Sequence, residues 1–241
     1  MLTDPINCGG CGQGCGGRDP YCYLGICQNC TTPLVAGACV AAIATGQGMP
    51  NDIAVDASNL YWVNAGIDFW HNADGSVMKL PLAGGTPVVL ASGQNVPNFL
   101  TVDASSVYWT NNYGNSVMKV SLGGQDLTAL ATGQMGPWGI AVNSTGVYWA
   151  NDNSVASFLF ATQNTEILDA DQAGAVALAV DTTNVYWTTG SGGTVMKIPL
   201  AGGAPTTLAS KQDFPAAVAV DTTSVYWINS RAHLINPLSR K

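Results

Sequence analysis

The sequence predicts an all-β fold built from repeated four-stranded sheets. The dipeptide Tyr-Trp occurs five times, and successive copies are 47, 40, 38 and 40 residues apart. A fixed period in this range is typical of repeat architectures. Each copy also contains short apolar, β-branched runs separated by Gly, Asn, Asp and Ser, which are strand and turn signals. Four-stranded units at this period predict a β-propeller, whose strands we name a to d within each blade.

Strands a and b form the inner half of each predicted blade. Strand a ends at Asp56, Asp103, Asn143, Asp181 or Asp221. Because Asp and Asn side chains bond to the backbone two residues on, they open the turn into strand b. Strand b carries the pairs Tyr61-Trp62, Tyr108-Trp109, Tyr148-Trp149, Tyr186-Trp187 and Tyr226-Trp227. Adjacent strand residues point to opposite faces, so we expect Tyr and Trp to pack between blades and not to bind a ligand.

Strands c and d form the outer half. Strand c contains Val-Met-Lys in three copies, and we expect Lys79, Lys119 and Lys197 to be solvated tips or tyrosine partners, not catalysts. The pairs Gly84-Gly85, Gly123-Gly124 and Gly202-Gly203 supply the positive φ of a c–d hairpin. The third copy departs from this pattern, because residues 154–160 replace the Val-Met-Lys strand and no Gly pair follows.

The arrangement of the copies predicts five blades, at about residues 50–93, 97–133, 137–170, 175–210 and 215–241. In the fifth copy, residues 233–238 align with strand c, and no strand d follows. Upstream of the first blade, residues 40–46 resemble a strand d. We therefore expect an N-terminal strand at 38–46 to complete the C-terminal blade and close the ring. The alternative is a fragment of a six-bladed propeller, which would leave exposed sheet edges.

All seven cysteines lie between residues 8 and 39, which predicts a Cys-rich cap at 1–37 before a propeller at 38–241. Small loop-rich segments of secreted proteins are usually stapled by disulfides. The disulfide candidates are Cys8, Cys11, Cys15, Cys22, Cys27, Cys30 and Cys39. The alternative is a zinc site, because Cys8, Cys11, Cys27 and Cys30 have the spacing of zinc ligands.

Composition excludes two classes of partner. The net charge is −7, with eight Lys plus Arg, which argues against nucleic acid because that ligand demands a basic surface. No run of 18 apolar residues occurs, so we expect no membrane span. We expect a monomer without a cofactor. A Ca²⁺ ion on the channel axis, near Asn51 and Asn98, is the alternative.

Two families resemble parts of the chain. Residues 4–15 read Asp-Pro-Ile-Asn-Cys-Gly-Gly-Cys-Gly-Gln-Gly-Cys, which resembles the stigma-specific-type Cys-rich motif that many bacterial surface proteins contain. Residues 107–111 and their sister copies resemble YWTD repeats and, less closely, NHL repeats. The fourth motif position here is Asn or Thr189 instead of Asp, and YWTD propellers imply six blades. The combination is similar to bacterial secreted propellers, and it implies an extracytoplasmic protein but no catalytic residues.

A binding site is expected where the copies differ, on the face that carries the d–a and b–c loops. Near the start of strand a, the copies read Asn51, Asn98, Trp138, Val176 and Ala216, so the first three are polar or aromatic. The full candidate rim is Asn51, Asn98, Trp138, Asp68, Trp70, His71, Asn111, Asn112, Tyr113, Asn151 and Asp152. Aromatic rings supply contact area and amides supply directed hydrogen bonds, which favours a glycan or protein ligand.

Two other functions remain open. Pro50-Asn51-Asp52 and Pro97-Asn98 resemble the starts of inner strands in gluconolactonase-type propellers, which implies a metal-dependent lactonase or lyase. A hard cation needs several converging oxygens, whereas the later copies supply Trp138, Val176 and Ala216. We therefore predict no catalytic residue and no metal ligand. The second alternative is a structural spacer domain.

Overall fold

The computed structural model describes residues 42–67, 73–172 and 174–231, and the backbone of 234–239 and of four short strands nearer the N-terminus. Contacts divide the chain into two units, Met1–Gly46 and Gln47–Lys241. Among the described residues, no helix has the length and apolar character needed to cross a membrane.

The first unit contains two short hairpins. Strands β1 (Pro20–Tyr23) and β2 (Ile26–Asn29) pair with each other, as do β3 (Leu34–Val35) and β4 (Ala38–Cys39). The backbone of Cys22 lies opposite that of Cys27 in the first hairpin. The other candidates, Cys8, Cys11, Cys15 and Cys30, lie outside the described residues, so the disulfide pairing stays a prediction.

The second unit confirms the predicted β-propeller. Five antiparallel sheets follow one another along the chain, each with its strands paired in sequence order. The first comprises β5 (Pro50–Val55), β6 (Asn59–Asn64), β7 (Gly75–Pro81) and β8 (Val88–Gln94). The second comprises β9 (Pro97–Val102), β10 (Ser106–Asn111), β11 (Ser116–Ser121) and β12 (Thr128–Thr132). The third comprises β13 (Ile140–Val142), β14 (Gly146–Ala150), β15 (Ser154–Leu159) and β16 (Asn164–Ala170). The fourth comprises β17 (Ala175–Val180), β18 (Asn184–Thr189), β19 (Thr194–Pro199) and β20 (Thr206–Ala209). The fifth has three described strands, β21 (Pro215–Val220), β22 (Ser224–Asn229) and β23 (Leu234–Ser239).

The a–b turns are held as the sequence predicts. Asp56 Oδ1 accepts hydrogen bonds from the backbone N–H groups of Ser58 and Asn59, both at 2.6 Å. Its other oxygen accepts from the Tyr61 hydroxyl at 2.8 Å. The same arrangement recurs at Asp103, Asp181 and Asp221. One carboxylate therefore closes the a–b turn and also anchors the tyrosine of strand b.

The cores lie between blades, and each combines the Tyr of one blade with the Trp of the next. Tyr61 and Trp109 share the first core with Val63 and Leu100. Tyr108 with Trp149, Tyr148 with Trp187, and Tyr186 with Trp227 define the other three. The predicted packing role of the Tyr-Trp pairs is thus confirmed for these four interfaces.

A glutamine that lies just before each strand a fixes the Trp ring of the blade that this strand begins. Trp109 Nε1 donates to Gln94 Oε1 at 3.1 Å, and Asn111 Nδ2 donates to the same oxygen at 2.9 Å. Gln47, Gln134, Gln172 and Gln212 accept from their own Trp in the same way. These glutamines recur with the spacing of the Tyr-Trp pairs, a signal that the sequence analysis missed.

The predicted closing strand at 38–46 stays a prediction. Ala38–Cys39 pair with Leu34–Val35, a partner that needs only a short loop to reach, and residues 42–46 contain no strand. Ile43 is 61% exposed. The resemblance to a strand d came from the Gly46-Gln47 turn, because Gln47 accepts from Trp62 of the first blade.

The two terminal faces of the array are less covered than the internal ones. The inner strands make successive contacts, β5 with β9, β9 with β13, β13 with β17 and β17 with β21. Among the described strands, no comparable contact joins β21 to β5. Ile53 of β5 is 62% exposed, whereas its counterpart in β9, Leu100, is 5% exposed.

Candidate functional site

The variable position of the inner strands is a β-bulge. Pro50 pairs with Asn64 and Asp52 with Val63, so Asn51 is an extra residue in the ladder. The pairing also shifts around Asn98, Val176 and Ala216. In the third blade, Trp138 lies just before β13. Bulges bend a strand and redirect a side chain, and they are frequent beside binding and active sites. The position that differs among the copies is therefore the one freed from regular pairing.

Two contacts across neighbouring blades link this region: one joins Asn51 to Asn98, and the other joins Phe99, the residue after Asn98, to Trp138. Asn51 Nδ2 donates to Asn98 Oδ1 at 3.3 Å and to the Pro97 carbonyl at 3.4 Å. The rings of Phe99 and Trp138 lie 6.3 Å apart at an interplanar angle of 53°. We call Asn51, Asn98, Phe99, Trp138 and Asp152 the rim arc.

Trp138 is held from two sides. Its indole Nε1 donates to Asp152 Oδ1 at 3.1 Å, and its carbonyl accepts from the Thr110 hydroxyl at 2.8 Å. The side chain remains partly exposed. An aromatic ring fixed in this way offers apolar contact area at little entropic cost.

Asp52 lies beside Asn51 and joins the first two blades. Its Oδ2 accepts from the backbone N–H of Leu100 at 2.9 Å. Burial raises the pKa of Asp52 above its usual value, although the hydrogen bonds from Leu100 and Ile53 oppose this shift. Perturbed carboxyl groups are frequent at functional sites, and the sequence analysis did not single out this residue for the rim.

The other predicted rim residues fall into three groups. Asn112 donates to the Pro137 carbonyl at 3.3 Å, so it joins the second blade to the third, and Tyr113 is 46% exposed. Asn111 and Asn151 are corrections: they are only 5% and 3% exposed, and their amides bind Gln94 and Gln134. The last group, Asp68, Trp70 and His71, lies outside the described residues.

The rim arc offers two amides, one carboxylate, one phenyl ring and one fixed indole. Asn98 Nδ2 and Asn51 Oδ1 remain as a donor and an acceptor beyond the bond that the two amides share. Within the described part of the chain, no three His, Cys, Asp or Glu side chains group closely enough to hold a metal ion. The arrangement suits a ligand with hydroxyl or amide groups and an apolar face.

The sequence matches no protein-family model and no curated protein. Its fold is similar to solved propellers. The nidogen/laminin complex matches with a TM-score of 0.66 at 19% identity, over 79% of this chain and 76% of that one. Virginiamycin B lyase from Staphylococcus aureus matches with a TM-score of 0.63 at 13% identity, over 81% and 71%. The designed protein Ika8 matches with a TM-score of 0.64 at 16% identity, over 79% and 58%. Identities at this level support the shared β-propeller fold alone.

Proposed function

We propose that this protein is an extracytoplasmic binding propeller whose rim arc recognises a glycan or a protein. The observation that carries the proposal is the contact chain from Asn51 through Asn98 and Phe99 to Trp138. The scaffold repeats in every blade, whereas these bulged positions change from blade to blade. A side chain that is freed from the ladder and specific to its blade is suited to ligand contact.

The chemistry of the arc supports both ligand classes. A tryptophan face packs on the apolar side of a sugar or on a peptide side chain, and flanking amides direct hydrogen bonds. Tryptophan is also among the residues that carry most binding energy in protein interfaces. The nidogen propeller, which shares this fold, was solved in a complex with laminin.

The test compares three proteins on a glycan array and a peptide array: the wild type, Trp138→Ala and Val176→Ala. Val176 occupies the corresponding bulge of the fourth blade, so it is the matched control. We expect the control to retain binding and Trp138→Ala to lose about tenfold or more in affinity. Binding that survives Trp138→Ala and Asn98→Ala in folded protein contradicts the proposal.

The extracytoplasmic location rests on the seven cysteines before residue 40 and on the motif resemblance at residues 4–15. Disulfides persist in oxidising compartments. Intact mass measured before and after reduction should show a gain of two hydrogen atoms for each disulfide in protein secreted from its host. Seven free thiols in that protein would argue against this location.

A lyase is the second candidate function, and Asp52 is the observation that favours it. Its pKa is raised by burial, and it adjoins the rim arc. A carboxyl group in that state is suited to proton transfer. Quinupristin is the compound present in a structure of a catalytically inactive virginiamycin B lyase with a similar fold. Incubation with quinupristin, followed by mass spectrometry, tests this function. We expect a lyase to consume the compound and Asp52→Asn to abolish its loss.

A further inference from the structure

A contact that joins the first blade to the second has no equivalent between the second blade and the third. Lys79 of β7 donates from Nζ to the carbonyl of Leu122 at 2.8 Å. Leu122 follows β11, and its N–H donates to Ser105 in the a–b turn. Phe160 occupies the same place in the third blade, because its N–H donates to Thr145 of that turn. The repeat therefore predicts that Lys119 should bind the Phe160 carbonyl.

That carbonyl accepts from a different side chain instead. Gln163 Nε2 donates to it at 2.8 Å. Gln163 stands in the tight c–d turn of the third blade, where the other complete blades have a Gly pair. Among the described residues, Lys119 Nζ has no hydrogen-bond or ion-pair partner. Gln163 of the third blade thus takes the place of Lys119, and the half-buried ammonium group of Lys119 in the second blade is left unpaired.

Lys119 lines a cavity between the second and third blades. Its volume is about 540 Å³, and its walls include Asp103, Ser144, Phe160 and Gln163. Sites for small molecules span about 300–1,000 Å³. Asp103 follows the end of β9, and Asn98 lies near its start. The cavity therefore opens at the opposite end of the inner strand from the rim arc.

Three walls of the cavity have unused binding capacity. Among the described residues, Asp103 Oδ2 accepts only from the Tyr108 hydroxyl, at 2.9 Å, so it keeps a lone pair for a further donor. Gln163 Oε1 and the exposed Ser144 hydroxyl have no partner among the described residues. The Phe160 ring is half-buried and lies 6.3 Å from the Tyr108 ring. The walls thus combine one cation, hydroxyl-binding acceptors and an aromatic surface.

We propose that this cavity binds a carboxylate-bearing sugar of the uronic acid class. The sugar carboxylate pairs with Lys119, its hydroxyls donate to Asp103 and Gln163, and its apolar face lies on Phe160. A simple anion would leave the ring and the acceptors unused and would meet the negative charge of Asp103. A neutral sugar would leave Lys119 unpaired.

Titration of the ¹⁵N-labelled protein with galacturonate, galactose and acetate tests the proposal by NMR. We expect galacturonate to shift the amide signals of Ser105, Lys119 and Ser144. Galactose, which differs only in having a hydroxymethyl group in place of the carboxylate, should bind about tenfold more weakly or worse, since charge-assisted bonds are the strong ones. Equal binding of the two sugars, or equal shifts with acetate, overturns the proposal.

Two variants locate the site. Lys119→Met should lose the preference for galacturonate, whereas Lys197→Met, the same change on β19 of the fourth blade, should keep it. Gln163→Gly frees the Phe160 carbonyl for Lys119, as at Lys79, and should weaken galacturonate binding while the fold is retained. Trp138→Ala should leave this binding unchanged, so the result is independent of the rim arc. Undiminished binding by folded Lys119→Met or by Gln163→Gly refutes the assignment.

Discussion

At the scale of single residues, the recurring glutamine explains why strand b ends in Asn. Gln94 Oε1 satisfies the indole of Trp109 and the amide of Asn111, and all three side chains are buried. Thr189 replaces Asn in the fourth blade, so Gln172 serves Trp187 alone. Buried polar groups need partners, and one glutamine supplies them for each blade.

Gln134→Ala should therefore cost more than Gln172→Ala. Each change leaves one indole without its acceptor, that of Trp149 or of Trp187, which costs about 1–3 kcal/mol of unfolding free energy. The first change also removes a bond from the Asn151 amide, which costs about 0.5–1.5 kcal/mol more. Urea denaturation of the two variants measures the difference. Equal losses would show that the asparagine bond contributes nothing.

The residue before each glutamine has a left-handed backbone. Gly46, Gly93 and Gly133 occupy this position in the first three blades, with φ of 70°, 69° and 67°. Lys211 has φ 58° at the same position of the fifth blade and is exposed. A residue with a Cβ pays about 1–2 kcal/mol in this conformation.

Lys211→Gly should accordingly stabilise the protein by up to about 1 kcal/mol, because the relief of strain exceeds the entropy that glycine adds to the unfolded chain. Lys211→Ala is the control, and it should give no gain because the Cβ remains. Thermal unfolding of both variants provides the measurement. A gain with alanine would assign the effect to the lysine side chain instead.

At the scale of the blade, one sheet is incomplete as a folding unit. Each described core takes one face from each of two neighbours, so a blade buries its Tyr against the next blade and its Trp against the previous one. The first blade has no described blade before it, which explains why Ile53 is exposed where Leu100 is buried.

Leu100→Ala should cost about 2–5 kcal/mol of stability, whereas Ile53→Ala should cost less than about 1 kcal/mol. The two residues have the same place in the repeat, so burial alone separates them. Chemical denaturation measures both. A large loss for Ile53→Ala would mean that another part of the protein covers this face.

At the scale of the whole molecule, buried tyrosines set an upper limit to the pH range of stability. Burial and a hydrogen bond to Asp raise the pKa of Tyr108 and Tyr186 to about 12. Burial also raises the pKa of Tyr61 and Tyr148. The folded state thus disfavours the ionised tyrosine.

The resulting stability should be complete below pH of about 10 and should fall as the pH rises from about 10 to about 12. Urea midpoints recorded from pH 8 to pH 12 test this, and Tyr186→Phe should show a shallower fall than the wild type. A profile that stays level to pH 12 would contradict the assignment.

The sequence predicted the propeller, its a–b turns and the packing of the Tyr-Trp pairs because these features repeat, and repetition separates them from chance. It did not predict the role of Gln94 or the burial of Asn111, because polar residues near a loop are also typical of a ligand site. The resemblance of residues 40–46 to a strand d is ambiguous for a similar reason: Thr-Gly-Gln belongs to the turn that begins the next blade. The contact of Asn51 with Asn98 follows from the bulge, which the strand pattern does not reveal.

The sharing of each core by a Tyr and the next Trp also has a consequence for local opening. Internal blades are held by two cores and terminal blades by one, so protection against amide hydrogen exchange should follow position in the array. The slowest amides should lie in β14 of the third blade. The fastest strands should be those of the fifth blade, whose Ile228 is 42% exposed.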